Sequence, residues 1–465
     1  MRDSIHPARL TRAYLLAAAL PLSAVLVAGC TGGSGSPAAA TPRATTPALT
    51  AASDCLLPPA ACFTPAQFRV AYGIQPLLDR GIDGQGETVT DLVPAVSATP
   101  AGSTTVIQAG STTTAQAASL PDQPPAVTDI RQDLDRFDSL FRLPAARIQV
   151  VTTLAGSASR WQAGDEEAGD LEEVHMVAPA ATLRVVLVPP SVQDSAETAT
   201  ADMIAGLRVA VSGTDVTLIS WDLGEHFSTK AQAAELNSVL LGAAAHHVTV
   251  IASSGDTGPF SDMQPFGRAP VTEVSLPASD PLVLAVGGTT LTVNPATGAY
   301  ISETAWNTSS DFSQPGSASG GGFSHLYTRP AYQAGVPGIG AMRGVPDVAG
   351  DADAQDSAPI VLANGSRPFI APASGTEAAA PLWAGLIALA DQYAHHDLGF
   401  VNPAIYRIAR TSGYHQAFHD ITTGNNVMTM PYPVGTVGYH TAPGWDPVTG
   451  WGSPDAQALV PLLAG

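Results

Sequence analysis

Lysine is almost absent from this 465-residue chain. Lys230 is the only one, and 20 Lys and Arg together face 40 Asp and Glu, for a net charge of −20. Such a surface repels phosphate and excludes nucleic acid as a partner. It also suits work in acid, where partial protonation relieves self-repulsion. Aromatic residues make up only 6%, and there are three cysteines, Cys30, Cys55 and Cys62. The apolar run from Tyr14 to Val27 is too short to be a comfortable membrane span. No Gly-x-Gly-x-x-Gly loop follows an apolar run, and no internal repeat is visible. Glycine (44) and proline (39) are plentiful. They fit many turns around a core that the 45% hydrophobic content can supply.

The N-terminus reads as an export signal over residues 1–29, with Arg2, Arg9 and Arg12 ahead of the apolar run. Val27-Ala28-Gly29-Cys30 resembles the lipobox of bacterial lipoproteins, in which the cysteine is lipidated and becomes the first mature residue. The expectation is an exported, cell-surface lipoprotein held to the membrane through Cys30, or a secreted protein if Cys30 is not lipidated. Residues 30–54, rich in Ser, Thr, Ala and Pro, read as a flexible tether. Cys55 and Cys62 are close enough to close one small disulfide loop, with two free thiols as the alternative. Neither reading supplies a cysteine nucleophile.

Residues 55–465 read as one large folded domain. Helical spacing spans Phe63 to Leu78 and Thr128 to Leu143, with a low-complexity insertion near 94–127 between them. Apolar, β-branched runs at Glu87–Val93, Ile148–Thr153, Thr182–Val188, Asp215–Ser220, Val248–Ala252 and Leu282–Val286 alternate with helical stretches such as Ala199–Ala210 and Lys230–Ala245. Apolar strands separated by helices mean an α/β fold, a mostly parallel sheet covered on both faces.

Four segments carry candidate chemistry. Gly164 to Glu173, read as a helix, sets Glu166 and Asp170 one turn apart on one face. Acidic residues in a first helical turn are equally a stabilising commonplace. Ile251-Ala252-Ser253-Ser254-Gly255-Asp256-Thr257-Gly258 leaves a strand where ligands bind in parallel sheets, although Asp256 alone reads as well as a turn residue. Ser374-Gly375-Thr376-Glu377 enters an apolar helix with Pro381 in its expected first turn. Asp420-Ile421-Thr422 and Ala442 to Gly452, with Asp446, combine two carboxylates with nearby carbonyls, a hard-oxygen set suited to calcium, or else two ordinary turns.

In this order the four segments resemble the sedolisin family of serine-carboxyl peptidases, whose fold is subtilisin-like. Phe63-Thr64-Pro65-Ala66-Gln67-Phe68, Glu303-Thr304-Ala305-Trp306-Asn307, Ser319-Gly320-Gly321-Gly322-Phe323-Ser324 and Arg343-Gly344-Val345-Pro346-Asp347-Val348 extend the resemblance over roughly residues 60 to 465. The resemblance implies that Glu166 is the general base, that Asp170 orients it, and that Asp256 helps form the oxyanion hole. It implies one Ca2+ held by the Asp420 and Asp446 carboxylates and the carbonyls of Ile421, Ala442 and Gly444. An ordinary subtilisin is excluded, since no His-Gly-x-His occurs.

One position departs from the family pattern Ser-Gly-Thr-Ser: Glu377 stands where the nucleophilic serine belongs. Serine attacks through a hydroxyl whose proton passes to a base, and a carboxylate has no such proton to give. The long prosegment of active relatives has no counterpart between the tether and the domain, which accords with lost activity. The leading expectation is a pseudo-peptidase that binds a peptide or protein in the former substrate cleft. Two alternatives stand beside it. One is a residual acid endopeptidase in which paired carboxylates activate water. The other is a structural or adhesive envelope protein. Glu166, Asp170, Asp256 and Glu377 are expected to converge, with protons shared among them or a cation bound.

Overall fold

A computed structural model describes residues 61–97, 130–153, 161–162, 165–189, 196–221, 223–260, 271–309, 316–364, 367–430 and 435–465. The export signal, Cys30, the tether, Cys55 and nearly all of the 94–127 insertion lie outside the described residues, as does the side chain of Glu166. Cys62 is disulfide-bonded. The described residues belong to one compact unit. None of their helices is long and apolar enough to cross a membrane.

The centre is an eight-stranded sheet. In chain order its strands are β1 (Thr88–Pro94), β2 (Arg147–Thr152), β3 (Thr182–Val188), β4 (Val216–Ile219), β5 (Thr249–Ser253), β6 (Leu284–Val293), β7 (Tyr300–Ala305) and, after two strands that pair outside it, β10 (Val348–Asp351). In space they run β7-β6-β5-β4-β1-β3-β2, with β10 also on β6. Every pairing is parallel except β6 with β7. The two outside strands are β8 (Gly322–Thr328) and β9 (Met342–Val345), which pair antiparallel. A hairpin of β11 (Pro359–Asn364) and β12 (Arg367–Pro372) follows.

Alternation along the strands sends side chains into two cores. Leu183, Val185, Leu187, Leu218, Ile251, Leu284 and Val286 pack on one face, against α4 (Asp165–Val177) and α7 (Thr376–Ala394). Val186, Val188, Ile219, Val250, Ala252 and Ala285 pack on the other, against α5 (Ala196–Ala210) and α6 (Lys230–Ala245). Covering both faces is what makes the strands continuously apolar rather than alternating.

The sequence expectations need two adjustments. The helix expected over Phe63–Leu78 is two pieces, α1 (Pro65–Ala71) and α2 (Gln75–Leu78), broken at Gly73 with φ +65°. A Cβ there would also meet the Asp455 carboxylate at 2.5 Å. Helix α7 begins at Thr376, so Pro381 is its sixth residue rather than a first-turn residue. A proline at that place has no N–H for the carbonyl of Glu377, four residues earlier.

Candidate active site

Helices α4 and α7 share one orientation, and the topology dictates it. Helix α4 connects the parallel strands β2 and β3, so it runs back against them. Helix α7 starts where the amide of Gly375 binds the carbonyl of Ala352, just past β10, and then passes back along that strand, with Trp383 donating to the carbonyl of Ala349 at 2.8 Å. Both helices therefore begin at the C-terminal edge of the sheet, where the loop after β5 carries Asp256. They are in direct contact: a Cβ on Gly385 would strike Val177 at 2.6 Å and the Val174 carbonyl at 3.4 Å. Eight residues back along each helix, about 12 Å at 1.5 Å per residue, stand Glu377 on α7 and the Glu166–Gly169 turn on α4.

Glu377 and Asp256 meet directly. Both are buried. The position a Cβ on Gly375 would take is 2.5 Å from Glu377 Oε2 and 2.8 Å from Asp256 Oδ2, so the two carboxylates face one spot. Gly375 adopts φ +95°, and only glycine fits there on both conformational and steric grounds. Asp256 Oδ1 accepts from the Thr376 amide at 2.8 Å and the Thr376 hydroxyl at 3.0 Å. That hydroxyl also accepts from the Gly255 amide at 3.0 Å. Gly320 donates to the Gly255 carbonyl at 2.6 Å, and the Ser254 hydroxyl donates to the Gly320 carbonyl at 2.7 Å. The Asp256 loop, the head of α7 and the Gly320–Gly322 segment are thus fastened together.

Asp170 is buried on α4. The Glu173 carboxyl is pushed well above the ordinary carboxylate range by burial and then by the Asp170 charge. Glu166 lies in the first turn of the same helix. Thr376 was not singled out from sequence, yet it is the residue that ties Asp256 to α7. Its place beside the nucleophile position in the Ser-Gly-Thr-x segment was the available signal. His175, on α4, is fully buried, with Nε2 at 2.8 Å from the Pro144 carbonyl and 3.0 Å from Asp138.

The second carboxylate pair comes from two segments, 420–422 and 442–449, that hydrogen-bond to each other. Asp420 accepts from the Gly444 amide at 3.0 and 3.2 Å. Asp446 accepts from the amides of Ala442 at 3.1 Å and of Val448 and Thr449, both at 2.9 Å. Burial pushes the Asp446 carboxyl up to about 6, against the pull of those amides. Ala442 adopts no positive φ, which suits alanine, while Gly444 has φ +80°. Two carboxylates brought together by these bonds are hard-oxygen donors of the kind calcium takes.

The profile of the subtilase family (Peptidase_S8) matches residues 150–411. Kumamolisin of Bacillus sp. (strain MN-32) is 34% identical over 334 residues, 67% of this chain and 55% of that protein. Sedolisin of Pseudomonas sp. (strain 101) is 32% identical over 341 residues, 72% of this chain and 55% of its own length. The chain belongs to the subtilase family, in its sedolisin branch. It spans about half the length of the curated relatives it matches, 55% in both cases. A solved structure of Pseudomonas sedolisin, a serine-carboxyl proteinase complexed with two molecules of pseudo-iodotyrostatin, aligns with TM-score 0.66 at 26% identity, covering 86% of this chain and 98% of that one. Branch membership fixes the subtilisin-like fold and the peptidase ancestry of the site.

Proposed function

We propose that this chain is an exported sedolisin-type domain that binds peptide in its inherited cleft and does not cut it. The observation that carries this reading is the Glu377 carboxylate, buried at the head of α7 and facing the same spot as Asp256 beside Gly375. A group there has no hydroxyl proton for Glu166 to accept, so acyl transfer has no attacking atom. Loss of the nucleophile costs serine peptidases on the order of 10⁶ in turnover. Glu166 and Asp170 keep the roles of base and orienting acid only by inheritance, and Asp256, tied to Thr376, remains beside the oxyanion position. The Asp420 and Asp446 carboxylates, with the carbonyls of Ile421, Ala442 and Gly444, would hold one Ca2+, whose contribution is to pin that loop. Export and a lipid anchor at Cys30 belong to the same proposal and rest on the sequence of the N-terminus.

The test is incubation with a mixed peptide library from acid to neutral pH, read by mass spectrometry, beside titration of short peptides read by chemical-shift changes near Gly320–Gly322. Binding without cleavage is the expected result. Clean cleavage that Glu166→Ala abolishes refutes the reading.

A second reading draws on the same geometry. Two carboxylates facing one spot are the arrangement by which aspartic peptidases activate water. In that case wild-type protein cleaves in acid and Glu377→Gln abolishes the activity.

A further inference from the structure

A second polar cluster lies on the cleft wall, away from Glu377. It is formed by Glu225 in the short turn Glu225–Phe227, by Glu273, and by His325 on β8. One ligand atom from each lies within 4.8 Å of the others. Glu225 and Glu273 are buried, and His325 is exposed.

Two features distinguish this cluster from a chance gathering of acids. The first is its bracing. The Ser324 hydroxyl donates to Glu225 Oε1 at 2.5 Å and the His325 amide to Oε2 at 2.6 Å. The His226 amide donates to Glu273 Oε2 at 3.0 Å, while His226 Nδ1 contacts Oε1. Both carboxylates are therefore held in a fixed orientation by neighbouring donors. The second is an opening. Glu273, Ser324 and His325 line a cavity of about 160 Å3 together with Gly321, Gly322 and Tyr439. Two carboxylates and one imidazole, with Glu273 and His325 lining the cavity and Glu225 behind them, reproduce the donor count of a three-ligand zinc site.

We infer that Glu225, Glu273 and His325 form a transition-metal site of the Zn2+ class, open to the cavity and clamping β8 to the Glu225–Phe227 turn. An imidazole among the donors favours a first-row transition ion over calcium. Gly321 and Gly322 line the same cavity as Glu273 and His325, so a ligand lying along that stretch would be within reach of the ion. This site is independent of whether Glu377 disables hydrolysis.

The test is titration of Co2+ into the full, tag-free chain after chelator treatment, with Ca2+ held in excess so that the Asp420 loop is not read. One equivalent should bind, produce visible ligand-field absorption and be displaced by Zn2+. His325→Ala, an exposed position that should not disturb folding, and Glu273→Gln should each weaken binding at least tenfold. Ser324→Ala, which removes only a brace, should weaken it about 10–100-fold. Far-UV circular dichroism checks that the variants are folded. Absence of saturable Co2+ binding overturns the inference, as does unchanged binding in both His325→Ala and Glu273→Gln.

Discussion

Two buried carboxylates within the inherited motif set show how differently one functional group can be used. Asp347 is fully enclosed and saturated. Arg343 reaches both its oxygens at 2.8 and 2.6 Å, Tyr406 donates at 2.8 Å, and the Ala285 amide and the Asn402 side chain each donate at 3.0 Å. Glu377, equally buried, faces the same spot as another carboxylate. The first arrangement consumes every lone pair to hold β6, β9 and α8 (Asn402–Ile408) together. The second sets two carboxyl groups side by side at the head of α7. A motif residue is thus structural when its surroundings match its charge, and chemical when they do not.

That contrast can be broken from either side. Asp347→Ala leaves the Arg343 guanidinium buried without its partner and should cost about 3–5 kcal/mol of stability, measured by urea denaturation. A loss below 1 kcal/mol would erase the distinction. Removing calcium from the Asp420–Asp446 loop sits in between. If the ion is bound at about a hundred times its Kd, chelation should remove about 2.7 kcal/mol, seen as a lower Tm that added Ca2+ restores. No change on chelation would argue that the loop is held by its amide hydrogen bonds alone.

Asp391 near the end of α7 supplies a third case. Burial first, then the charges of Glu87, Asp397 and Asp215, raise its carboxyl from 3.8 to about 8, against the pull of the Leu398 amide. The folded chain therefore keeps a proton that the unfolded chain has lost. This group favours the folded state in acid, and stability falls as pH rises from 3.8 to about 8. Asp391→Asn should raise stability by about 1–2 kcal/mol at neutral pH and leave it unchanged in acid. Denaturation curves at the two pH values decide it. The smallest effect is expected at Glu377 itself. Helix α7 favours a negative charge at its N-terminus while Asp256 opposes it, so Glu377→Gln should shift stability by less than about 1 kcal/mol. A loss of several kcal/mol would make Glu377 a structural residue like Asp347.

The sequence exposed the features with local physical signatures. Strand β3 and helix α6 keep the expected bounds, the latter because Thr229 and Gln232 form a capping box at its start. The Asp256 and Glu377 segments were legible as motifs, and their meeting through Gly375 follows from the ordered topology. What escaped depends on distant partners. The hairpin β11–β12 carries no strict alternation, and β8 and β9 were read only as motif segments. The Glu225–Glu273–His325 cluster draws on residues 48 and 100 positions beyond Glu225, a spacing no local pattern announces. The breaks at Gly73 and at the start of α7 escaped for another reason. Helical spacing reports which face is apolar, and not where a positive φ or a missing N–H interrupts the helix.

The most direct measurement sets wild-type protein beside Glu377→Ser on one peptide library in acid, with Glu166→Ala added to each. The account expects a silent wild type and a serine variant that gains cleavage by several orders of magnitude, on the scale that nucleophile loss removes. That gain should vanish again with Glu166→Ala. Vigorous wild-type cleavage dependent on Glu166, which the serine variant does not improve, would contradict it.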